Sequence, residues 1–162
     1  SIAFDPNVRP ELLHGAVASY YQEILAACDV LLTGKSELGL LLPDSTDPVA
    51  ALLAQKDRVV VVKDGSRGTS LYTRTQALRA PVYPAREVDP TGAGDCFDAT
   101  FLAAVCQGLP LETALVRASA AGAKAVEKRG PMEGNTTQAE LEAFMAEHPV
   151  PQLTPLELRY QK

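Results

Sequence analysis

Apolar positions along the chain follow two distinct periods. Over residues 16–28 they recur at helical spacing, with Val17, Tyr20, Tyr21, Ile24 and Leu25 on one face. Residues 58–63 instead hold four consecutive valines, Val59 to Val62. A β-branched run bounded by charge and glycine predicts a strand buried on both faces, as parallel sheets require. Shorter strands are expected at residues 2–5, 30–32 and 69–74, with a turn at 64–68 and a further extended piece at 81–85. Residues 36–42 predict a short helix stopped by Pro43. Residues 47–55 predict another, with Asp47 as cap and Pro48 at the first helical position.

From Ala93 the texture changes to small and apolar residues at helical spacing. Helices are predicted over 93–107, ending at Gly108, and over 111–128. The second has Glu112 in its first turn and Lys124, Lys128 and Arg129 near its end, as the helix dipole favours. A third spans 137–147, opened by a Thr137/Glu140 capping box. Strands alternating with helices predict an α/β fold with a mostly parallel sheet. Residues 149–162 contain three prolines and no clear period, and read as a tail or extended arm. No internal repeat is visible.

Composition narrows the function. A chain of 162 residues suits one domain, and 46% hydrophobic content marks a folding globular chain. A net charge of −5 argues against nucleic-acid and membrane-surface partners, both polyanionic. Cys28, Cys96 and Cys106 lack metal-ligand spacing and read as free thiols in a reducing cytoplasm. His14 and His148 are isolated. The opening residues Ser1 to Asp5 carry no basic leader and no initiator Met, which reads as the start of a fragment.

Residues 88–95, Val-Asp-Pro-Thr-Gly-Ala-Gly-Asp, follow an extended segment and open a long predicted helix. Glycines let the backbone approach a ligand closely. First-turn amides have no partner inside the helix, and the dipole there favours negative charge. The amides of Gly92, Ala93 and Gly94 could thus hold a phosphoryl group, with Asp95 beside them to take a proton from an attacking hydroxyl. Spacing alone leaves a second reading equally open, in which Asp95 merely caps the helix and the glycines merely turn the chain. The chain has no GxxxxGK[ST] loop.

Asp89-Pro90-Thr91-Gly92-Ala93-Gly94-Asp95-Cys96-Phe97 resembles the second signature of PfkB-type carbohydrate kinases, D-T-x-G-A-G-D-x-F, with Pro90 in place of the usual Thr. The similarity runs in the family's order from Phe4 to about Phe144. It implies that Asp95 is the catalytic base and that Gly92, Ala93 and Gly94 form the anion hole. Gly65, Ser66 and Gly68 match a G-x-x-G loop against ATP, with Lys63 just before it. Taken alone, that segment is a weak motif and more often a plain hairpin turn. Ser119 matches a position bordering the adenine. Glu37 matches the Glu of an N-x-x-E motif that helps position Mg²⁺ and phosphates, while Gly34 replaces its Asn and Lys35 could take over phosphate contact; read alone, Glu37 is equally an exposed helix residue. Asn7 and Arg9 match a strand end facing the sugar, where a guanidinium suits a sugar carboxylate. Asp89 and Thr91 match residues beside a monovalent cation, K⁺.

The resemblance therefore implies the C-terminal part of a ribokinase-like three-layer α/β/α sandwich over residues 1–148, followed by a Pro-rich tail over 149–162. It implies MgATP-dependent phosphorylation of a primary hydroxyl on a sugar or sugar acid. The segment 131–134 points toward ketohexoses or 2-keto-3-deoxygluconate. Two alternatives stand beside it: a non-catalytic nucleotide-binding half, and a nucleoside or vitamin kinase of the same superfamily. Intact members are about twice this length, and their N-terminal half supplies much of the sugar pocket, a β lid and often a homodimer contact. The fragment alone is expected to be inactive.

Overall fold

A computed structural model describes residues 1–160. Among these residues six strands form one sheet in chain order: β1 (Ala3–Phe4), β2 (Val30–Gly34), β3 (Val59–Lys63), β4 (Thr69–Tyr72), β5 (Ala77–Ala80) and β6 (Thr154–Pro155). The helices are α1 (Ala16–Ala27), α2 (Lys35–Leu41), α3 (Pro48–Gln55), α4 (Ala93–Cys106), α5 (Leu111–Ala125) and α6 (Gln138–Glu147). The chain divides into two compact units: Ser1–Asp64 with Ser70–Leu78 and the chain from Pro155, and Gly65–Thr69 with Arg79–Thr154.

In the first unit β1, β2 and β3 are parallel, with Val30 opposite Val59 and Gly34 opposite Lys63. Val60 and Val61 are completely buried, as the valine run predicts. Val60 packs with Leu31, Leu52 and Leu53 in a core that also takes Leu25 from α1 and Cys28 just after it. Asp47 caps α3 by accepting from the Ala50 amide at 3.1 Å, with Pro48 at the first helical position. The C-terminal end of α1 is held by two cations from the β3 approach. Arg58, itself buried, donates to the Leu25 and Ala26 carbonyls, and Lys56 donates to Ala27 O at 2.6 Å. Cations there oppose the negative end of the helix dipole.

The apolar face of α1 divides. Leu25 is buried and Tyr21 half-buried, whereas Val17, Tyr20 and Ile24 stay 39%, 59% and 40% exposed. Periodicity marks the stripe correctly but cannot say which part of it meets this core. The expected extended piece at residues 81–85 lies outside the sheet, and the ladder runs instead through β5, just before it. Pro81 and Pro84 have no amide to donate to a ladder. Residues 154–155 form β6, and beyond it Leu156 donates its amide to Ala77 O at 2.8 Å. Arg159 pairs with Asp47 at 3.2 Å, and the Tyr160 ring lies 4.7 Å from the Arg74 guanidinium.

The second unit is mostly helical. Nine of the residues of α5 are buried, six of them alanines, so a neighbouring helix can approach closely. That neighbour is α4, and the Cβ that Gly122 lacks would stand 3.5 Å from Ala93 O, at ordinary contact. Tyr83 is buried with Val116, Ala120, Leu141 and Phe144. The predicted capping box of α6 is present: the Glu140 amide donates to Thr137 Oγ1 at 3.3 Å, and the Thr137 amide donates to Glu140 Oε2 at 2.7 Å.

Candidate active site

The Asp89–Asp95 segment is built by the second unit alone. The Asp89 carboxylate accepts the Thr91 amide at 2.9 Å and the Gly130 amide at 3.0 Å. The Thr91 hydroxyl and these two amides hold its pKa below the usual carboxylate value. The turn then reverses through Gly92, which is left-handed at φ 81° and caps α4. A side chain at Gly92 would strike the backbone carbonyl of Pro131. The space a glycine leaves there is filled by the protein's own chain, a requirement that spacing alone does not reveal.

Helix α4 starts at Ala93, and its first helical bond runs from the Cys96 amide to Gly92 O at 2.9 Å. Of the three amides expected to form the hole, that of Ala93 donates to Pro90 O at 3.2 Å. The amides of Gly94 and Asp95 fall in the first turn, where a helix offers no acceptor. Asp95 is the third residue of α4 and is exposed, as is Gly94. An accessible carboxylate thus stands at the positive end of a helix, beside unspent amides. Behind it, Cys96 donates its thiol to Asn135 Oδ1 at 3.0 Å, and burial pushes that thiol's pKa up. The Asn135 contact bridges 39 residues and has no sequence signal.

The Gly65 loop belongs to the same unit. Gly65–Arg67 is a single 3-10 turn, with Gly65 and Gly68 at φ 54° and 93°. The Gly68 amide donates to Gly65 O at 3.1 Å, and the Arg79 guanidinium to Arg67 O at 2.6 Å. Ser66 is exposed at the tip. Ser119 is buried, and its hydroxyl is spent on Leu115 O at 2.9 Å within α5.

The remaining candidates belong to the first unit, at the carboxyl ends of its parallel strands. After β1, Pro6 and Val8 are buried while Asn7 and Arg9 are exposed. Asn7 is the one non-glycine residue with positive φ among the described residues, at 39°. Its amide donates to Asp5 Oδ1 at 3.1 Å, and Tyr21 donates its hydroxyl to Pro6 O at 3.0 Å. Lys63 pairs with Asp5 and Lys35 with Asp64, each at 3.3 Å. Glu37 is half-buried: Oε2 accepts the Gly34 amide at 2.7 Å, and Oε1 accepts the Val8 amide at 2.9 Å. Among the described residues no cluster of three His, Cys, Asp or Glu side chains is arranged to hold a metal. Asp89 already gives both carboxylate oxygens to amides, and a monovalent cation would have to share them.

Residues 1–138 match the model of the pfkB family of carbohydrate kinases. The ATP-dependent ribose-1-phosphate kinase of Halopiger xanaduensis is 38% identical over 127 residues, covering 78% of this chain and 42% of that protein. A 5-dehydro-2-deoxygluconokinase of Bacillus licheniformis is 28% identical over 152 residues, covering 90% and 47%. Among solved structures, an apo ribokinase II from E. coli superposes with a TM-score of 0.87 at 39% identity, over 91% of this chain and 49% of that one. The same E. coli protein with ATP and Mg²⁺ superposes at 0.83. The chain spans about half the length of the curated relatives it matches. With the family's model matched over most of its length and its strands and helices superposing on ribokinase-fold kinases, the chain belongs to the PfkB family of carbohydrate kinases.

Proposed function

We propose that this chain is the nucleotide-side, catalytic part of a kinase that moves the γ-phosphoryl group of MgATP to a primary hydroxyl of a sugar or sugar acid. The carrying observation is the exposed Asp95 carboxylate at the third position of α4, next to the unspent amides of Gly94 and Asp95. In the reaction the substrate oxygen attacks the γ-phosphorus, the bond to the β,γ-bridging oxygen breaks, and ADP leaves. The hydroxyl proton passes to Asp95. Charge on the transferring group meets the first-turn amides and the helix dipole, which need no rearrangement to receive it. Mg²⁺, bound as the MgATP complex, would supply charge neutralisation at the phosphates. The exposed Gly65–Arg67 turn is assigned to the nucleotide, and Asn7 and Arg9 are assigned to the acceptor by their match to the family's strand end.

The acceptor is best read as a ketohexose or a keto-deoxy sugar acid. The exposed Arg9 guanidinium supports a carboxylated acceptor, and similarity to 5-dehydro-2-deoxygluconokinase supports the same class. An ADP-release screen of the enzyme that carries this chain tests the reading. Ketohexoses, keto-deoxy sugar acids, ribose, ribose 1-phosphate and adenosine are offered in turn. Transfer to a sugar or sugar acid is expected. Transfer to adenosine alone would move the enzyme to the nucleoside kinases, and ATP binding without transfer to any acceptor would favour a non-catalytic half.

A second part of the proposal concerns the partner. β1 is the terminal strand of the sheet and leaves one edge unpaired, and Val17, Tyr20 and Ile24 form an exposed apolar stripe on α1. With relatives about twice as long, the occupant of this surface is the other half of the same kinase fold, adding a strand beside β1 and covering the stripe.

A further inference from the structure

We infer that Glu37 is a positioning residue for the acceptor loop, holding Asn7 and Arg9 in place through the Val8 amide; the inference rests on the kinase reading above. The carboxylate spans two elements. Oε2 caps the first turn of α2 by accepting the Gly34 amide at 2.7 Å, and Thr33 Oγ1 donates to the same oxygen at 3.4 Å. Gly34 has no side chain to complete a capping box. That helix cap uses only one carboxylate oxygen. The other reaches a residue 29 positions earlier, accepting the Val8 amide at 2.9 Å.

The placement follows from the sheet. β1 and β2 are parallel neighbours, with Phe4 opposite Leu31, so the loop after β1 and the junction of β2 with α2 leave the sheet at the same, carboxyl end of the strands. Along that loop the chain alternates: Pro6 and Val8 point inward, Asn7 and Arg9 outward. Whatever fixes Val8 therefore fixes the direction of both flanking side chains. Asn7 sits between two such anchors in a left-handed conformation that few non-glycine residues adopt. Tyr21 holds Pro6 from α1, and Asp5 holds the Asn7 amide from within the loop. Glu37 is the anchor that ties the loop to α2. A carboxylate engaged with two amides and a hydroxyl acts through the backbone of the loop, rather than by direct contact with phosphate or Mg²⁺.

Glu37→Asp tests this. The side chain loses one methylene, so it can keep its local helix cap while falling short of Val8. The expected result is a higher KM for the acceptor and a kcat/KM loss of up to ~10²-fold, the scale for a misplacement of ~1 Å. KM for ATP and the Mg²⁺ dependence should stay unchanged. Hydrogen exchange of the peptide covering residues 5–9 should quicken in the variant, whether or not any acceptor is turned over. Glu37→Gln keeps the length and replaces the shorter variant if that fails to fold; with one acceptor oxygen it can satisfy only one of the two amides. A shifted Mg²⁺ dependence with an unchanged acceptor KM would overturn the inference, and so would unchanged exchange at residues 5–9. Should the wild-type enzyme phosphorylate no sugar, the kinase reading fails on its own, and the exchange measurement still decides whether Glu37 clamps the loop.

Discussion

The loop after β1 and the loop before α4 are both tight and expose a candidate functional side chain, yet they are held by opposite means. The α4 entry is held by backbone. Gly92 takes a left-handed turn under the Pro131 carbonyl, and Asp89 accepts two amides to close the turn. The β1 exit is held by side chains reaching in from elsewhere: Tyr21 from α1, Glu37 from α2 and Lys63 from β3. Backbone anchoring tolerates almost no substitution at the anchoring glycine. Side-chain anchoring spreads the load, so each single loss should do less.

Breaking the backbone-held loop should have the largest effect. Gly92→Ala puts a Cβ on a left-handed residue, which costs roughly 1–2 kcal/mol, and also forces the Pro131 backbone to move. A lower melting temperature is expected, with turnover down by ~10²-fold or more as Asp95 loses its place. Unchanged turnover would show that the close approach to Pro131 is not needed. At the side-chain-held loop a gentler outcome is expected. Asn7→Gly relieves a strained residue, so stability should hold while acceptor KM rises, and Asn7→Ala should add a stability cost of about 1 kcal/mol. Equal effects from the two variants, read by thermal melting beside steady-state kinetics, would mean that the conformation at Asn7 carries no strain.

The smallest effect separates the loops by pH. Asp89 has a folded pKa below its unfolded one, because the Thr91 hydroxyl and the amides of Thr91 and Gly130 favour the charged form. Stability from this clasp is thus fully present above the unfolded value of about 3.9. It is lost as pH falls through the lowered folded value. Asp89→Asn should lower stability near neutrality, where the clasp is fully present, and flatten the acid limb of an unfolding curve below about pH 4, so that variant and wild type converge in acid. An acid limb identical to wild type would remove Asp89 from the account of the turn.

The same contrast explains what was legible in the sequence. Glycines at 92 and 94 followed by Asp95 are readable because a backbone-built site must spell its conformational needs in residue types. The valine run of β3, the Asp47 cap and the Thr137/Glu140 box are readable for a similar reason, since each is a local rule satisfied within a few residues. The contacts of Glu37 with Val8 and of Cys96 with Asn135 bridge 29 and 39 residues, and nothing local encodes them. Nor does periodicity say where the apolar stripe of α1 is covered, because burial depends on neighbours beyond the helix. β5 carries little local signal, since its strand is four residues long and runs straight into Pro81.

The most direct test of the central claim is Asp95→Asn in the enzyme that carries this chain, with turnover and ATP binding measured on the same preparation. A ~10²–10⁴-fold loss of turnover is expected, the usual range for removing a general base, with ATP affinity retained. Near-normal turnover in a folded variant would contradict a proton-accepting role for Asp95 and leave it as a helix cap.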